Sequence, residues 1–135
     1  MTLTPQQIAA DPCPLAAEVA VGKGDRFQIR PLLATDTERL GLFFDALTDA
    51  SRRVYGPHPL NSEHAKVLCD QIDYGMSLRF VALGPLPTAA QQIVGYMILD
   101  LGTRESDAGR YSQVGRPLDG SITATFAPVI ADAWQ

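Results

Sequence analysis

Positive charge is in short supply. Eleven Lys and Arg stand against fifteen Asp and Glu, giving a formal net charge of -4 and a pI near 5.0. A nucleic-acid binder needs a basic face, so no nucleic-acid partner is expected. Long apolar runs are also missing. Although 46% of the residues are hydrophobic, no run approaches the roughly 20 residues that span a bilayer, and no membrane partner is expected. Cysteine is limited to Cys13, in a proline-rich leader, and Cys69, on a helix face. Two unrelated thiols are expected there rather than a disulfide or a metal site. The only histidines, His58 and His64, lie six apart with a proline between them and no second pair at ligand spacing. They are expected at a surface or in packing, and no metal is expected. The sequence holds no GxSxG, no P-loop and no GxGxxG, so hydrolase and dinucleotide-binding readings have no support. The first residues lack a basic segment and carry Asp11 and Glu18. They make a poor signal peptide, and the cytoplasm is the expected compartment.

What is present reads as one α+β domain, since 135 residues can bury a core of their own. Residues 1–24 contain Pro5, Pro12, Pro14, Gly22 and Gly24 with little periodicity and are expected to form a tail, with a short helix over 4–10. The domain is expected over 25–135. It starts with a half-buried strand in "RFQIRPL", where Phe27 and Ile29 alternate with Gln28 and Arg30. A helix follows, with Thr35 and Glu38 at capping-box spacing and Leu40, Phe43, Phe44 and Leu47 at i, i+3, i+4, i+7. After the break "YGPHPLN", Asn61 or Ser62 caps a second helix with Ala65, Leu68, Cys69 and Ile72 inward, and Gly75 in the C-cap role. That placement makes Cys69 an inert core thiol rather than a nucleophile.

From Ser77 the period changes to two. "SLRFVALG" reads as a strand and "PLPTAAQ" as a turn. "QIVGYMILDLG" reads as a strand with Ile93, Gly95, Met97 and Leu99 on one face. The polar run 103–120 reads as a mobile loop, and "SITATFAPVIADAWQ" as the last strand. The predicted order is β-α-α-β-β-β: a strand, a helical pair and an antiparallel meander.

Three strings in this order carry a resemblance. "FQIRPLLATDTERLGLFFDALTDASRR", "LRFVAL" with "QIVGYMILD", and "ATFAPVIADAWQ" resemble the first strand and helix, the second and third strands, and the fourth strand of the GNAT superfamily of N-acetyltransferases. The resemblance runs from about Arg26 to Gln135 and looks closest to the protein-lysine acetyltransferase branch, whose fourth strand ends in a "DWQG"-like turn. It implies a GNAT-like, mostly antiparallel sheet lacking the C-terminal half of that fold, and acetyl transfer from acetyl-CoA to an amine on a small molecule or a protein. It also implies that acetyl-CoA lies along a splayed, bulged fourth strand, with the backbone of Val129, Ile130 and Ala131 holding the pantetheine arm, because a splayed strand leaves N–H and C=O groups to bond amides. Gln135 aligns with the first position of the Q/R-x-x-G-x-G/A loop that holds the pyrophosphate at a helix start. The rest of that motif is not in the 135 residues, so a truncated chain, inactive on its own, is expected.

Two positions depart from the family pattern. Pro128 brings no N–H to the cofactor strand, unless it marks the bulge itself. Thr125 stands where many relatives carry the Glu that serves as or positions the general base. The resemblance selects no catalytic residue here; Asp119, Tyr111 or a water relay remain open as substitutes for the base. A non-catalytic GNAT-derived module is the alternative reading. Its exposed sheet edge would pair with a second copy or with a complementing C-terminal half. An unrelated α+β domain with the same element order is the third.

Overall fold

The computed structural model describes residues 2–87 and 91–135. Four of its strands form the expected meander: β2 (Asp25–Pro31), β3 (Ser77–Leu86), β4 (Ile93–Leu101) and β5 (Ala124–Ile130), each antiparallel to the next. A fifth strand, β1 (Ala17–Val21), comes from the expected tail and pairs with β2 from Ala17↔Ile29 to Val21↔Asp25. The expected boundary at residue 24 therefore falls inside a hairpin. Its turn needs Gly22 and Gly24, whose φ values of 60° and 119° suit glycine far better than a residue with a Cβ. The sheet order is β1-β2-β3-β4-β5. Ahead of it lies α1 (Pro5–Ala10), capped by the Thr4 side chain as its spacing predicts.

Three helices separate β2 from β3: α2 (Thr37–Ala46), α3 (Asp49–Val54) and α4 (Ser62–Asp70). The short α3 is an addition to the predicted pair. Asn61 takes the cap of α4, its side chain accepting the His64 N–H at 2.8 Å. The Thr35–Glu38 capping box does not form. Instead Asp36 accepts the Leu33 N–H at 2.9 Å and takes both arms of Arg30 at 2.7 and 2.8 Å, a stronger use of a carboxylate than a single cap bond. Gly75 does not cap α4 either; the helix ends at Asp70 with Gln71 as its cap, four residues before Gly75.

One sheet face packs on α2 and α4 through Leu40, Phe43, Phe44, Leu68 and Cys69 from the helices and Val81, Leu83, Tyr96, Ile98 and Val129 from the strands. Cys69 is thus the buried core thiol its helix position indicates. On β4 the expected shared face of Ile93, Gly95, Met97 and Leu99 is corrected at Ile93, which points into the core together with Tyr96 and Ile98. Pairing steps from Ala82↔Gly95 to Leu83↔Ile93, so the register shift puts Ile93 on the same side as Tyr96. The polar run 103–120 also differs from a plain loop, since it contains α5 (Glu105–Gln113). Of the expected turn 85–91, residues 88–90 lie outside the described residues. Among the described residues no helix is long and apolar enough to cross a membrane.

Gly84 carries a sharp prediction. Its φ is 153°, and a Cβ there would lie 2.7 Å from Cδ1 of Phe27. That ring is buried and meets Trp134 edge-on at 5.1 Å, so it has little room to retreat. Gly84→Ala should lower stability by about 1–3 kcal/mol, the range for overpacking and forced backbone. Urea denaturation checks this through a lower midpoint at unchanged slope.

Candidate functional site

β5 is an edge strand, and its two sides differ. Ala131 donates its N–H to Val94 O at 2.8 Å, and Thr123 O accepts the Gly102 N–H at 2.8 Å. Antiparallel residues alternate in the side to which both backbone groups point, and the β4–β5 register is unbroken from Gly95↔Ile130 to Leu101↔Ala124. Thr125, Ala127, Val129 and Ala131 therefore address β4, while Ala124, Phe126, Pro128 and Ile130 address the open edge. Pro128 marks no bulge. It sits where its missing N–H would have faced outward, so the sheet loses no bond. Of the three backbone positions singled out by sequence, Ile130 alone turns its N–H and C=O to the edge.

The same alternation builds three rungs on the helix-facing side. They read Ser77–Asp100–Thr125, Arg79–Ile98–Ala127 and Val81–Tyr96–Val129, passing from polar to apolar across the sheet. Two clefts follow them along β5. One, of about 320 Å³, opens at the polar end between Thr125, Ala127, Asp100, the 56–57 turn and the α5 wall. The other, of about 280 Å³, lies at the apolar end between Pro128, Val129 and Ile130 on one side and Ser51, Val54 and Tyr55 on the other, with Gln135 at its rim.

Between the clefts sits a group of aromatic rings. Burial, its largest influence, pushes the Tyr55 hydroxyl far up from its ordinary value, so Tyr55 keeps its proton across the physiological range. It lies 3.5 Å from Ala127 O. Behind it, Nδ1 of His58 faces the Pro59 carbonyl at 2.8 Å and Nε2 faces the Tyr96 hydroxyl at 3.1 Å. A carbonyl only accepts, so Nδ1 holds the proton and Nε2 accepts from Tyr96. Burial lowers the His58 pKa from its usual value, with smaller contributions from His64 and Arg79, so the ring is neutral at pH 7. His58 also stacks on His64 at 4.6 Å, a packing role for both rings. Among the described residues no group of three or more His, Cys, Asp or Glu is placed to hold a metal.

Asp100 is held differently. Burial opposes its ionisation, but hydrogen bonds from Ser77, at 2.7 Å, and from Arg104 outweigh it and keep the carboxyl below the ordinary carboxylate range. Asp100 faces Thr125 directly across the β4–β5 ladder. A carboxylate is therefore present one strand away from the position that Thr125 leaves without one. Asp119 and Tyr111 line neither cleft. The Asp119 carboxylate takes the N–H and hydroxyl of Ser121 at 2.8 and 2.6 Å.

The segment after β5 is tied down rather than free. Asp132 accepts the Thr48 N–H, the Thr48 hydroxyl and the Ser51 hydroxyl at 3.0, 2.8 and 2.6 Å, so a residue at the end of β5 satisfies the first turn of α3. Those bonds, the one from Ser51 foremost, hold the Asp132 carboxyl below its usual value. Gln135 donates its Nε2 to Ser51 Oγ at 3.0 Å and to Ile130 O at 2.8 Å. One of the two outward groups of Ile130 is thus already engaged, and its N–H remains. The bonded pair Ser51 and Asp132 left no sequence signal, because the two residues are 81 positions apart.

The antiparallel meander with α2 and α4 on one face has the fold of solved GNAT acetyltransferase structures. It matches the crystal structure of the GNAT domain of PAT from S. lividans, with a TM-score of 0.62 and 23% identity over 92% of this chain and 64% of that one. It also matches ribosomal-protein-S5-alanine acetyltransferase from Vibrio fischeri, with a TM-score of 0.53 and 12% identity over 88% of this chain and 58% of that one. The chain thus spans less than two thirds of either structure. No protein-family model and no curated protein matches the sequence.

Proposed function

We propose that the chain is the amine- and thioester-binding portion of an acetyl-CoA-dependent N-acetyltransferase. The observation that supports it best is the outward-facing N–H of Ile130, beside a cleft that shares β5 with a second, polar cleft. In this reading the apolar cleft receives the pantetheine arm and the thioester, with Val129, Ile130, Ala131 and Gln135 as cofactor-side residues. The polar cleft receives the acceptor amine. The amine attacks the thioester carbonyl, the C–N bond forms, and the tetrahedral intermediate expels coenzyme A as the thiolate. Outward N–H groups of β5 and the protonated Tyr55 hydroxyl are the donors available to its oxyanion. Asp100 is held ionised and paired with Arg104, so it is a poor base for an ammonium, and the amine proton leaves to solvent. The expected compartment is the cytoplasm, where an exposed thiol such as Cys13 stays reduced.

Beyond its first position at Gln135, the Q/R-x-x-G-x-G/A loop for the pyrophosphate is not in the 135 residues, and Gly22-Lys23-Gly24 forms the β1–β2 turn. Each charge-assisted hydrogen bond missing there is worth about 1.5–3 kcal/mol, so two missing bonds weaken binding by roughly a hundredfold or more. Isothermal titration of this chain with acetyl-CoA should therefore show binding weaker than micromolar and little turnover. Ile130→Pro should remove even that binding while leaving the sheet intact, since the lost N–H makes no ladder bond. Micromolar binding, or binding untouched by Ile130→Pro, contradicts the reading.

The second reading, a non-catalytic GNAT-derived binding module, has its own observation. The sheet face opposite the helices bears Phe126 at 66% and Ile130 at 40% exposure on an open edge strand, the combination that invites another chain. A second copy, or a C-terminal half supplied by a separate chain, would cover it. Light scattering decides: a monomer at high concentration contradicts self-association.

A further inference from the structure

The polar cleft, whose role as the acceptor site rests on the reading above, has an unusual balance of charge. Asp100 and Arg104 satisfy each other. Asp107 and Arg110, one helical turn apart on α5, also line the cleft. Among the described residues neither has an ion-pair partner within 4.0 Å. Beside the floor residue Ile98 its rung neighbour Arg79 adds positive charge, and its buried Nε has no hydrogen-bond partner. One free carboxylate and one free guanidinium therefore share a wall, over a floor with apolar character from Ile98 and Ala127.

We propose that this cleft takes a small zwitterionic amine of the amino-acid class, its ammonium directed to Asp107 and its carboxylate to Arg110. A guanidinium binds a carboxylate through two parallel bonds, which gives Arg110 direction as well as charge. The cleft volume of about 320 Å³ is at the lower end for ligand pockets and suits a single amino acid. A basic peptide would bring only cations to a wall that already holds Arg104 and Arg110. The apolar floor favours an aliphatic side chain.

Three probes test this by NMR titration of the intact chain: L-leucine, 3-methylbutylamine, which lacks the carboxylate, and N-acetyl-L-leucine, which lacks the amine. L-leucine should bind at least about tenfold tighter than either analogue, shifting amides of α5 and of Thr125 to Ala127. Arg110→Ala should erase the advantage of leucine over 3-methylbutylamine and leave the amine's own affinity unchanged, while Arg110→Lys restores part of it. Arg110 is exposed, and an unchanged thermal melt verifies that the variants fold. Equal affinities for the three probes overturn the inference. So does tight binding of a lysine-containing peptide with no binding of leucine. If acetyl-CoA binds along β5 but leucine does not prefer the cleft, the inference fails and the acetyltransferase reading stands. If neither binds, both fail.

Discussion

Asp36→Ala should destabilise the fold by about 3–5 kcal/mol, the cost of leaving a buried charge without its partner. The Asp36 side chain is 0% exposed and that of Arg30 is 14% exposed, and they meet through two hydrogen bonds of 2.7 and 2.8 Å. Removing the carboxylate strands the guanidinium between β2 and the start of α2, and it also orphans the Leu33 N–H. In a domain of this size that amounts to a fall in Tm of roughly 10–15 °C. Replacing both partners, as in Arg30→Met with Asp36→Leu, should recover much of the loss, because no buried charge then lacks a partner. Recovery should stop short of full by about 1 kcal/mol for the Leu33 N–H. Thermal melts of the three variants check this ordering.

The pH dependence of the same pair has a defined sign. Burial alone would raise the Asp36 pKa, but the Arg30 and Leu33 hydrogen bonds and the charge of Arg39 outweigh it and lower it. The folded state therefore binds this proton more weakly than the unfolded state. Its stabilisation is complete above the unfolded carboxylate value of about 4 and is lost as pH falls through the lower folded value. The Tm gap between the native chain and Asp36→Ala should be constant near neutrality and narrow below about pH 4.

The second large effect belongs to Phe44. Its ring is fully buried and sits 5.3 Å from Tyr96, 5.7 Å from Phe43 and 6.0 Å from His58. Phe44→Ala should cost about 3–5 kcal/mol, combining lost burial with a cavity that its rigid neighbours close only in part. The ring also supports the site. His58 and Tyr96 stand between Phe44 and the two clefts, so the cavity should loosen the 54–58 turn before the sheet. Hydrogen exchange should show protection falling first at Tyr55 and His58, while the β3–β4 ladder keeps its order. Phe44→Leu, which retains most of the volume, should recover more than half of the loss.

Legibility in the sequence followed the physics of each segment. The β2 to β5 meander and the helices α2 and α4 were readable because one face of each is buried, so period two and period 3.6 leave clear marks. β1 was not, since nearly all of its residues are exposed on both faces, and its glycines resemble those of a loop as much as those of a hairpin turn. α5 hid for the same reason: it has no buried residue, so no apolar stripe marks it. Ile93 leaves the face of Gly95, Met97 and Leu99 through a register shift at Ala82/Leu83 that strict alternation cannot foresee. At the site, the edge strand itself was legible, but Ile130 stands out from Val129 and Ala131 only once the ladder phase is known. The carboxylate opposite Thr125 could not be found by spacing along one strand, because Asp100 reaches it across the sheet. Gln135 aligns to a phosphate loop by pattern alone; its amide bonds to Ile130 and Ser51, and Ser51 is too far away in sequence for spacing to reveal.

The central claim is that acetyl-CoA lies along the open edge of β5. Backbone amide NMR during titration of the intact chain with acetyl-CoA into the millimolar range tests it most directly. The account predicts shifts concentrated at Tyr55 and from Val129 to Gln135, with the Ile130 amide moving furthest as its N–H gains an acceptor. Shifts confined to β1 or to the far sheet face, or no shift at Ile130 at saturating ligand, would contradict it.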